Sequence, residues 1–135
     1  MAITITYNNP YPPNLPNKVS IYDYNSTVSA GWGRICCAGN VINATRGTPI
    51  FGKVYPGNYT SSVPNSPIGQ SPQLLGNVGA TNTPFAGCLD GAAGNSAGNQ
   101  VNTVVVWAQD GGTWFPQSML FYGFYCNQTD CATCN

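Results

Sequence analysis

The fold class is decided by residues 101–115, which read VNTVVVWAQDGGTWF. The run Val104-Val105-Val106-Trp107 is continuously apolar, which is typical of a strand buried on both faces. Asp110-Gly111-Gly112 follows it, and Asp-Gly between two extended runs is a strong signal of a β-hairpin. We therefore predict a hairpin over residues 101–126, with Asp110 in its turn and Trp107 in the core.

Extended segments also precede the hairpin. Residues 2–7 alternate branched apolar residues with threonine, so that Ile3, Ile5 and Tyr7 share one face of a strand. Apolar residues nowhere recur at three-and-four spacing over a dozen positions, so we expect little or no helix. Further strands are predicted at residues 18–24, 27–37 and 49–55. The predicted fold is all-β, a single antiparallel β-sandwich or jelly-roll-like domain with long irregular loops and disulfide stabilisation.

The chain has 135 residues, which suits one domain, because domains of about 100–200 residues are usual. Four prolines within residues 10–16 favour an extended arm. A loop as long as residues 61–100 is unusual in a compact domain, so it is a binding loop, a surface ordered by a partner or a set of unrecognised strands. The domain divides into an N-terminal strand with a proline-rich arm (1–17), strands (18–60), a Gly/Pro/Ser/Asn loop region (61–100), the hairpin (101–126) and a cysteine-rich tail (127–135).

Charged residues are scarce. They make up 6% of the chain, the net charge is zero and there is no histidine, whereas an average globular protein has about 25% charged residues. Nucleic-acid binding is excluded, because it depends on many Lys and Arg side chains that neutralise phosphates. Histidine relays such as Ser-His-Asp and Cys-His are excluded as well. We therefore expect a protein that is not an enzyme and that holds no cofactor and no metal.

The hydropathy and the N-terminus bear on location. No apolar run approaches the roughly 18–20 residues that cross a membrane, so we expect no membrane span. Residues 1–6 lack the basic-then-apolar layout of a signal peptide. A signal was therefore either removed before this numbering begins or is not used.

The cysteines predict a disulfide framework and an oxidising, extracellular setting, because they are even in number in a small chain rich in Gly, Pro and Asn. The six are Cys36, Cys37, Cys88, Cys126, Cys131 and Cys134. The last three have the spacing of three plant-type iron–sulfur ligands, but the fourth ligand would have to come from an earlier cysteine, so disulfides are favoured. The side chains of adjacent residues in a strand point to opposite faces, so a disulfide between Cys36 and Cys37 would be strained. We therefore expect Cys36 and Cys37 to reach different partners, with Cys88 and Cys126 as candidates, which leaves Cys131 for Cys134.

Four N-x-S/T triplets also favour an extracellular setting. Each is a candidate acceptor for an N-linked glycan. The asparagines concerned are Asn25, Asn43, Asn58 and Asn127. In a chain rich in Asn and Thr such triplets also arise by chance, so their joint weight is modest.

The aromatic residues offer a second kind of site. Exposed Trp and Tyr beside amide and hydroxyl groups stack on sugar faces. The candidates for glycan stacking are Trp32, Trp114 and Tyr59. Isolated aspartates such as Asp90, which lies in a Gly/Ala stretch, are expected to form turns.

Two functions are consistent with these observations. The first is a self-associating subunit of an extracellular filament, coat or sheath, because an uncharged surface opposes association little. The strand containing Ile3, Ile5 and Tyr7 can pair with its own sheet or with a neighbour's. For a self-associating subunit, we expect it to add to an open sheet edge of the next copy. The alternative is a lectin-like carbohydrate-binding protein. The expected partners are therefore further copies of the chain and glycans.

Overall fold

The structure is a computed structural model that describes residues 2–7, 34–90 and 101–122. These residues form seven strands and no helix: β1 (Thr4–Tyr7), β2 (Arg34–Ile42), β3 (Pro49–Pro56), β4 (Gln73–Asn77), β5 (Asn82–Asp90), β6 (Val101–Asp110) and β7 (Thr113–Tyr122). They make two antiparallel sheets, with strand orders β1-β2-β5 and β4-β3-β6-β7. The prediction of an all-β antiparallel fold is confirmed.

Several predicted segments lie outside the described residues. These are the proline-rich arm, the strand at 18–24, most of the stretch 27–37 and the cysteine-rich tail. Within the three described ranges, no helix is long and apolar enough to cross a membrane.

The two sheets share one apolar core, which makes the arrangement sandwich-like. Along β3, Ile50 and Val54 are buried and alternate with the less buried Phe51 and Tyr55, the period of two that a strand imposes. The core cluster takes Ile5, Cys37, Val41, Phe85 and Leu89 from the first sheet, Ile50, Val54, Val104, Val106 and Ala108 from the second, and Val78 from a connection.

The predicted hairpin is present as β6 and β7. Its ladder runs from Val101 opposite Tyr122 to Asp110 opposite Thr113. Gly111 and Gly112 form the turn, with φ angles of 58° and 94°. Positive φ at both turn residues matches the right-handed twist of the strands, and glycine adopts it without strain.

A two-stranded ribbon connects the sheets. The β2–β5 pair and the β3–β4 pair are its two halves, and the ribbon passes from one sheet to the other through residues 43–48 and 78–81. Backbone hydrogen bonds continue across this corner, from Asn43 N to Thr81 O at 2.8 Å and from Val78 N to Thr48 O at 2.9 Å. These two bonds satisfy backbone donors and acceptors within the bend.

The tract at 61–100 contains two strands, β4 and β5, so it includes strands that the sequence pattern did not reveal. Gly76 interrupts the apolar pattern of β4, and the β3–β4 register shifts between Ile50 and Phe51. Pro84 lies within β5, which is tolerated because β5 is an edge strand of its sheet. Asp90 is the last residue of β5 and lies opposite Arg34, and the residues that would form a turn with it lie outside the described residues.

Residues 57–72, which join β3 to β4, cover the outer face of the four-stranded sheet. The Trp107 indole Nε1 donates to the Pro64 carbonyl at 2.8 Å, and the Thr103 hydroxyl donates to the Gly57 carbonyl at 2.7 Å. Trp107 is 0% exposed. The prediction that Trp107 lies in the interior of a strand buried on both faces is therefore confirmed, and the connection supplies the second cover.

Candidate functional site

The predicted assembly strand is β1, and in this structure it pairs with its own chain. Thr4 to Tyr7 lie opposite Ile42 to Gly39 of β2, at the edge of the three-stranded sheet. Ile5 is 7% exposed, and Ile3 and Tyr7 pack against the same core. The shared face expected from the alternating sequence is therefore the face that enters the core.

Gly39 makes room for β1. A Cβ atom built on Gly39 would lie 1.9 Å from the Thr6 carbonyl oxygen and 2.7 Å from the Phe85 ring. No side chain fits within such distances. We call the space bounded by Gly39 and Phe85, which oppose each other in the β2–β5 register, the β1 slot. Its sequence signal was a lone glycine inside a strand, which indicates a close backbone approach.

Tyr7 ties β1 to the opposite sheet. Its hydroxyl donates to the Gln117 carbonyl of β7 at 2.7 Å and lies 3.4 Å from the Val104 carbonyl of β6. Its ring stands edge-on to Phe85, with centroids 6.1 Å apart and planes at 87°. Burial raises the pKa of Tyr7 well above its ordinary value, and the nearby Cys37 adds to the rise.

A cavity of about 190 Å³ opens between β1 and β7, on the side of the sandwich where both sheets end. Phe115 lines it and is 41% exposed, although it shares its face of β7 with Met119, which packs against the core. β1 is therefore packed less tightly along this side than against β2.

The two described glycan-stacking candidates do not form one site. Tyr59 donates its backbone N–H to the Thr103 hydroxyl at one end of β6, whereas Trp114 pairs with Gln109 at the other end. Six residues of strand put these positions about 20 Å apart. The third candidate, Trp32, lies outside the described residues.

Trp114 has an aromatic neighbour that the sequence analysis missed. It is half-buried and packs against Phe51, with ring centroids 5.8 Å apart. Phe51 also lines a groove of about 380 Å³ together with Pro67, Ile68, Gly69, Ser71 and Pro72. Ile68 is 77% exposed. We call this the Phe51 groove. It joins residues distant in sequence, so no local pattern indicated it.

Tyr59 belongs to a polar cluster that adjoins the Phe51 groove at Gln70. Its ring lies 6.0 Å from that of Tyr55. The Tyr55 hydroxyl donates to the Gln70 side-chain oxygen at 2.6 Å, and the Lys53 ammonium donates to the Gln70 carbonyl. Partial burial raises the pKa of Tyr55. These contacts fasten the 57–72 connection to β3.

The two described N-x-S/T triplets differ in geometry. The Asn58 side-chain oxygen accepts from the Thr60 hydroxyl at 2.8 Å, and Asn58 is exposed. The Asn43 amide nitrogen instead donates to the Ala2 carbonyl at 3.2 Å, and Asn43 is half-buried. Asn58 is thus the more accessible acceptor. Asn25 and Asn127 lie outside the described residues.

The described cysteines lie on β2 and β5. Cys36 is opposite Cys88, and Cys37 is buried opposite Gly87. Cys126, Cys131 and Cys134 lie outside the described residues. Among the residues that the structure describes, no three His, Cys, Asp or Glu side chains gather in a group that could hold a metal ion.

The chain was compared with protein-family models, curated proteins and solved structures, and none of them matches it.

Proposed function

We propose that this protein is a non-enzymatic, self-associating subunit of an extracellular filament, coat or sheath, and that copies associate by exchanging β1. The observation that carries the proposal is the β1 slot. β1 is an edge strand in a site shaped for it. Along the chain, the whole of residues 8–33 separates it from β2, its partner strand.

Exchange of β1 between copies would retain the contacts seen within one chain. The ladder with β2, the burial of Ile5 and the Tyr7 hydrogen bond to Gln117 would each form with a neighbour's strand. Exchange of an identical element is a low-cost route to association for this reason. The scarcity of charge supports the proposal, since little repulsion opposes close approach of copies.

Disulfides and an extracellular location are part of the same proposal. The even number of cysteines and the accessible Asn58 triplet support them. Covalent bonds within each subunit would give an assembly durability outside the cell.

The test separates the donated strand from the slot. Deletion of residues 1–16 removes the strand and leaves the slot open, whereas Gly39→Ala fills the slot and leaves the strand. We expect the wild type to form concentration-dependent oligomers in light scattering, and each variant alone to be monomeric. Mixing the two variants should give a complex, because the strand of the Gly39→Ala chain enters the slot of the shortened chain.

Gly79→Ala is the matched control, because a Cβ built on Gly79 meets no atom of the described residues within 4 Å apart from its two chain neighbours. It should associate like the wild type. A wild-type protein that stays monomeric at every concentration sinks the proposal, and so do oligomers that persist after deletion of residues 1–16.

The Phe51 groove favours a second candidate, a lectin-like carbohydrate-binding protein. The adjoining rings of Phe51 and Trp114 offer an aromatic surface beside an apolar groove, an arrangement that suits sugar stacking. A glycan array tests it. Trp114→Ala should abolish any binding, and Tyr59→Ala, about 20 Å away along the sheet, should leave it unchanged. Absence of binding to every glycan would contradict this candidate.

A further inference from the structure

Two cysteines come into register on neighbouring strands. Cys36 of β2 lies directly opposite Cys88 of β5 in the antiparallel ladder. Opposed residues of such a ladder have Cα atoms about 4.5–5.5 Å apart, and disulfides span Cα separations of about 4.4–6.8 Å. We propose that Cys36 and Cys88 form a disulfide across β2 and β5.

The faces of β2 distinguish Cys36 from its neighbour. Cys37, Gly39 and Val41 are buried, so the odd-numbered positions of β2 face the core. Cys36 occupies an even-numbered position, and the alternation of a strand assigns such positions to the outer face. The two adjacent cysteines thus lie on opposite faces of one strand.

The faces of β5 place Cys88 with Cys36. Phe85 and Leu89 are buried and mark the core side of β5. The position of Cys88 alternates with theirs, and the alternation of a strand assigns it to the outer face. The residue opposite Cys37 is Gly87, on the core side. A bond from Cys88 to Cys37 would have to pass through the sheet, whereas a bond to Cys36 joins directly opposed positions.

The neighbouring pairs on the outer face agree with this assignment. Ala38 lies opposite Ala86 on one side of the cysteine pair, so both neighbouring positions on that side carry small side chains. Arg34 lies opposite Asp90 on the other side. Opposite charges at directly opposed positions favour this register of the two strands.

The bond requires an oxidant, which we take to be a disulfide, either oxidised glutathione or the active-site disulfide of an oxidising protein. The thiolate of one cysteine attacks the oxidant's disulfide and releases one of its sulfurs as a thiol. The second cysteine thiolate then attacks the mixed disulfide and displaces the other. The two cysteines lose two protons and two electrons, and the oxidant's disulfide is reduced to two thiols.

The bond fixes the strands that form the β1 slot. Gly39 and Phe85 bound that slot and oppose each other in the same β2–β5 ladder, three positions from the cysteine pair. Oxidation therefore holds the slot in shape whether its strand comes from the same chain or from another. The role of the bond in binding a strand from another chain rests on the proposed function, but the bond itself does not.

Peptide mapping of the full-length protein tests the bond. The protein is refolded with reduced and oxidised glutathione, alkylated and digested without reduction by trypsin and chymotrypsin. Cleavage after Arg34 and Arg46 gives a peptide with Cys36 and Cys37, and cleavage after Phe85 and Leu89 isolates Cys88 from the C-terminal cysteines. These two peptides should be joined, and fragmentation of the joined species should place the bond on Cys36.

Cys36→Ser and Cys37→Ser form a matched pair of variants. Cys36→Ser should lose the joined species and leave Cys88 open to alkylation, whereas Cys37→Ser should retain it. Attachment of Cys88 to Cys37 or to a C-terminal cysteine overturns the proposal, and so does alkylation of Cys88 in the unreduced wild type. The wild-type map decides the question even where a variant does not fold, and it gives the same answer for a monomer as for an oligomer.

Discussion

The Tyr7 hydroxyl donates a hydrogen bond of 2.7 Å to the carbonyl oxygen of Gln117, which joins the edge strand of one sheet to the edge strand of the other. β1 has only four residues, and among the described strands its ladder is with β2 alone. Beside this ladder and the buried Ile5, the Tyr7 hydroxyl gives β1 a hydrogen bond to the opposite sheet. The strand proposed to be exchanged is therefore held from both sheets.

Tyr7→Phe removes this hydrogen bond and keeps the ring against Phe85. We expect the free energy of unfolding to fall by about 1 kcal/mol, the usual net contribution of one such bond. Urea denaturation measures the change. Tyr59→Phe is the control, since it removes the hydroxyl of a tyrosine that is 46% exposed. Equal losses in the two variants would contradict a special role for the Tyr7 hydroxyl.

The stability should also fall at alkaline pH. Burial, with a smaller contribution from Cys37, raises the pKa of Tyr7 in the folded state, although a backbone hydrogen bond at Val106 opposes part of the rise. An unfolded tyrosine titrates near pH 10. The folded state thus keeps its proton when the unfolded chain releases its own, so the stabilisation is complete below about pH 10 and is lost as the pH rises further.

Urea midpoints measured from about pH 8 to pH 11.5 check this expectation, since that range brackets the titration of tyrosine. Tyr7→Phe should flatten the decline. Tyr55→Phe should flatten it less, because partial burial raises the pKa of Tyr55 as well but that side chain is more open to solvent. A decline that Tyr7→Phe leaves unchanged would assign the alkaline loss to other groups.

The sequence was informative where the determining interactions are local. The hairpin of β6 and β7 was predictable because its Asp-Gly turn and its apolar run are neighbours in the chain. β4 and β5 were not predictable, because the glycine and proline residues within them obscure the alternation of apolar and polar residues. These residues are tolerated because of where the two strands lie in their sheets. Trp107 was assigned to the interior, but its cover by residues 57–72 depends on contacts distant in sequence.

The candidate site was predictable to a similar extent. The alternation of Ile3, Ile5 and Tyr7 indicated a strand with one buried face, yet that pattern is the same for a strand in its own sheet and in a neighbour's. Pairing within the chain could be seen only in the structure. Trp114 and Tyr59 were grouped by residue type, whereas the length of β6 separates them.

Gly39→Ala should weaken the docking of β1 specifically. A methyl group 1.9 Å from the Thr6 carbonyl oxygen forces the backbones of β1 and β2 apart. Overpacking costs about 1–3 kcal/mol, and loss of the burial of Ile5 adds roughly 1.5–3 kcal/mol. We therefore expect a loss of about 3 kcal/mol or more in urea denaturation.

Hydrogen exchange of the Gly39→Ala variant locates the change. Amide protection should fall in β1 and remain in the β6–β7 hairpin, which β1 does not pair with. Gly79→Ala, whose methyl group would contact none of the described residues beyond its chain neighbours, should change neither stability nor protection. Unaltered protection of β1 in Gly39→Ala would mean that the slot does not depend on Gly39.

Trp107→Phe should loosen the cover of the four-stranded sheet. The substitution leaves the Pro64 carbonyl without the indole donor and creates a cavity under residues 57–72, because Trp107 is fully buried. A lost hydrogen bond and a smaller buried ring together cost roughly 1–3 kcal/mol. Hydrogen exchange should show faster exchange of the Tyr59 amide. This amide donates a hydrogen bond to the Thr103 hydroxyl and belongs to the same connection. Trp114→Phe, at a half-buried position, should lower the free energy of unfolding less and leave the Tyr59 amide protected. A larger effect of Trp114→Phe than of Trp107→Phe would show that other contacts hold the connection.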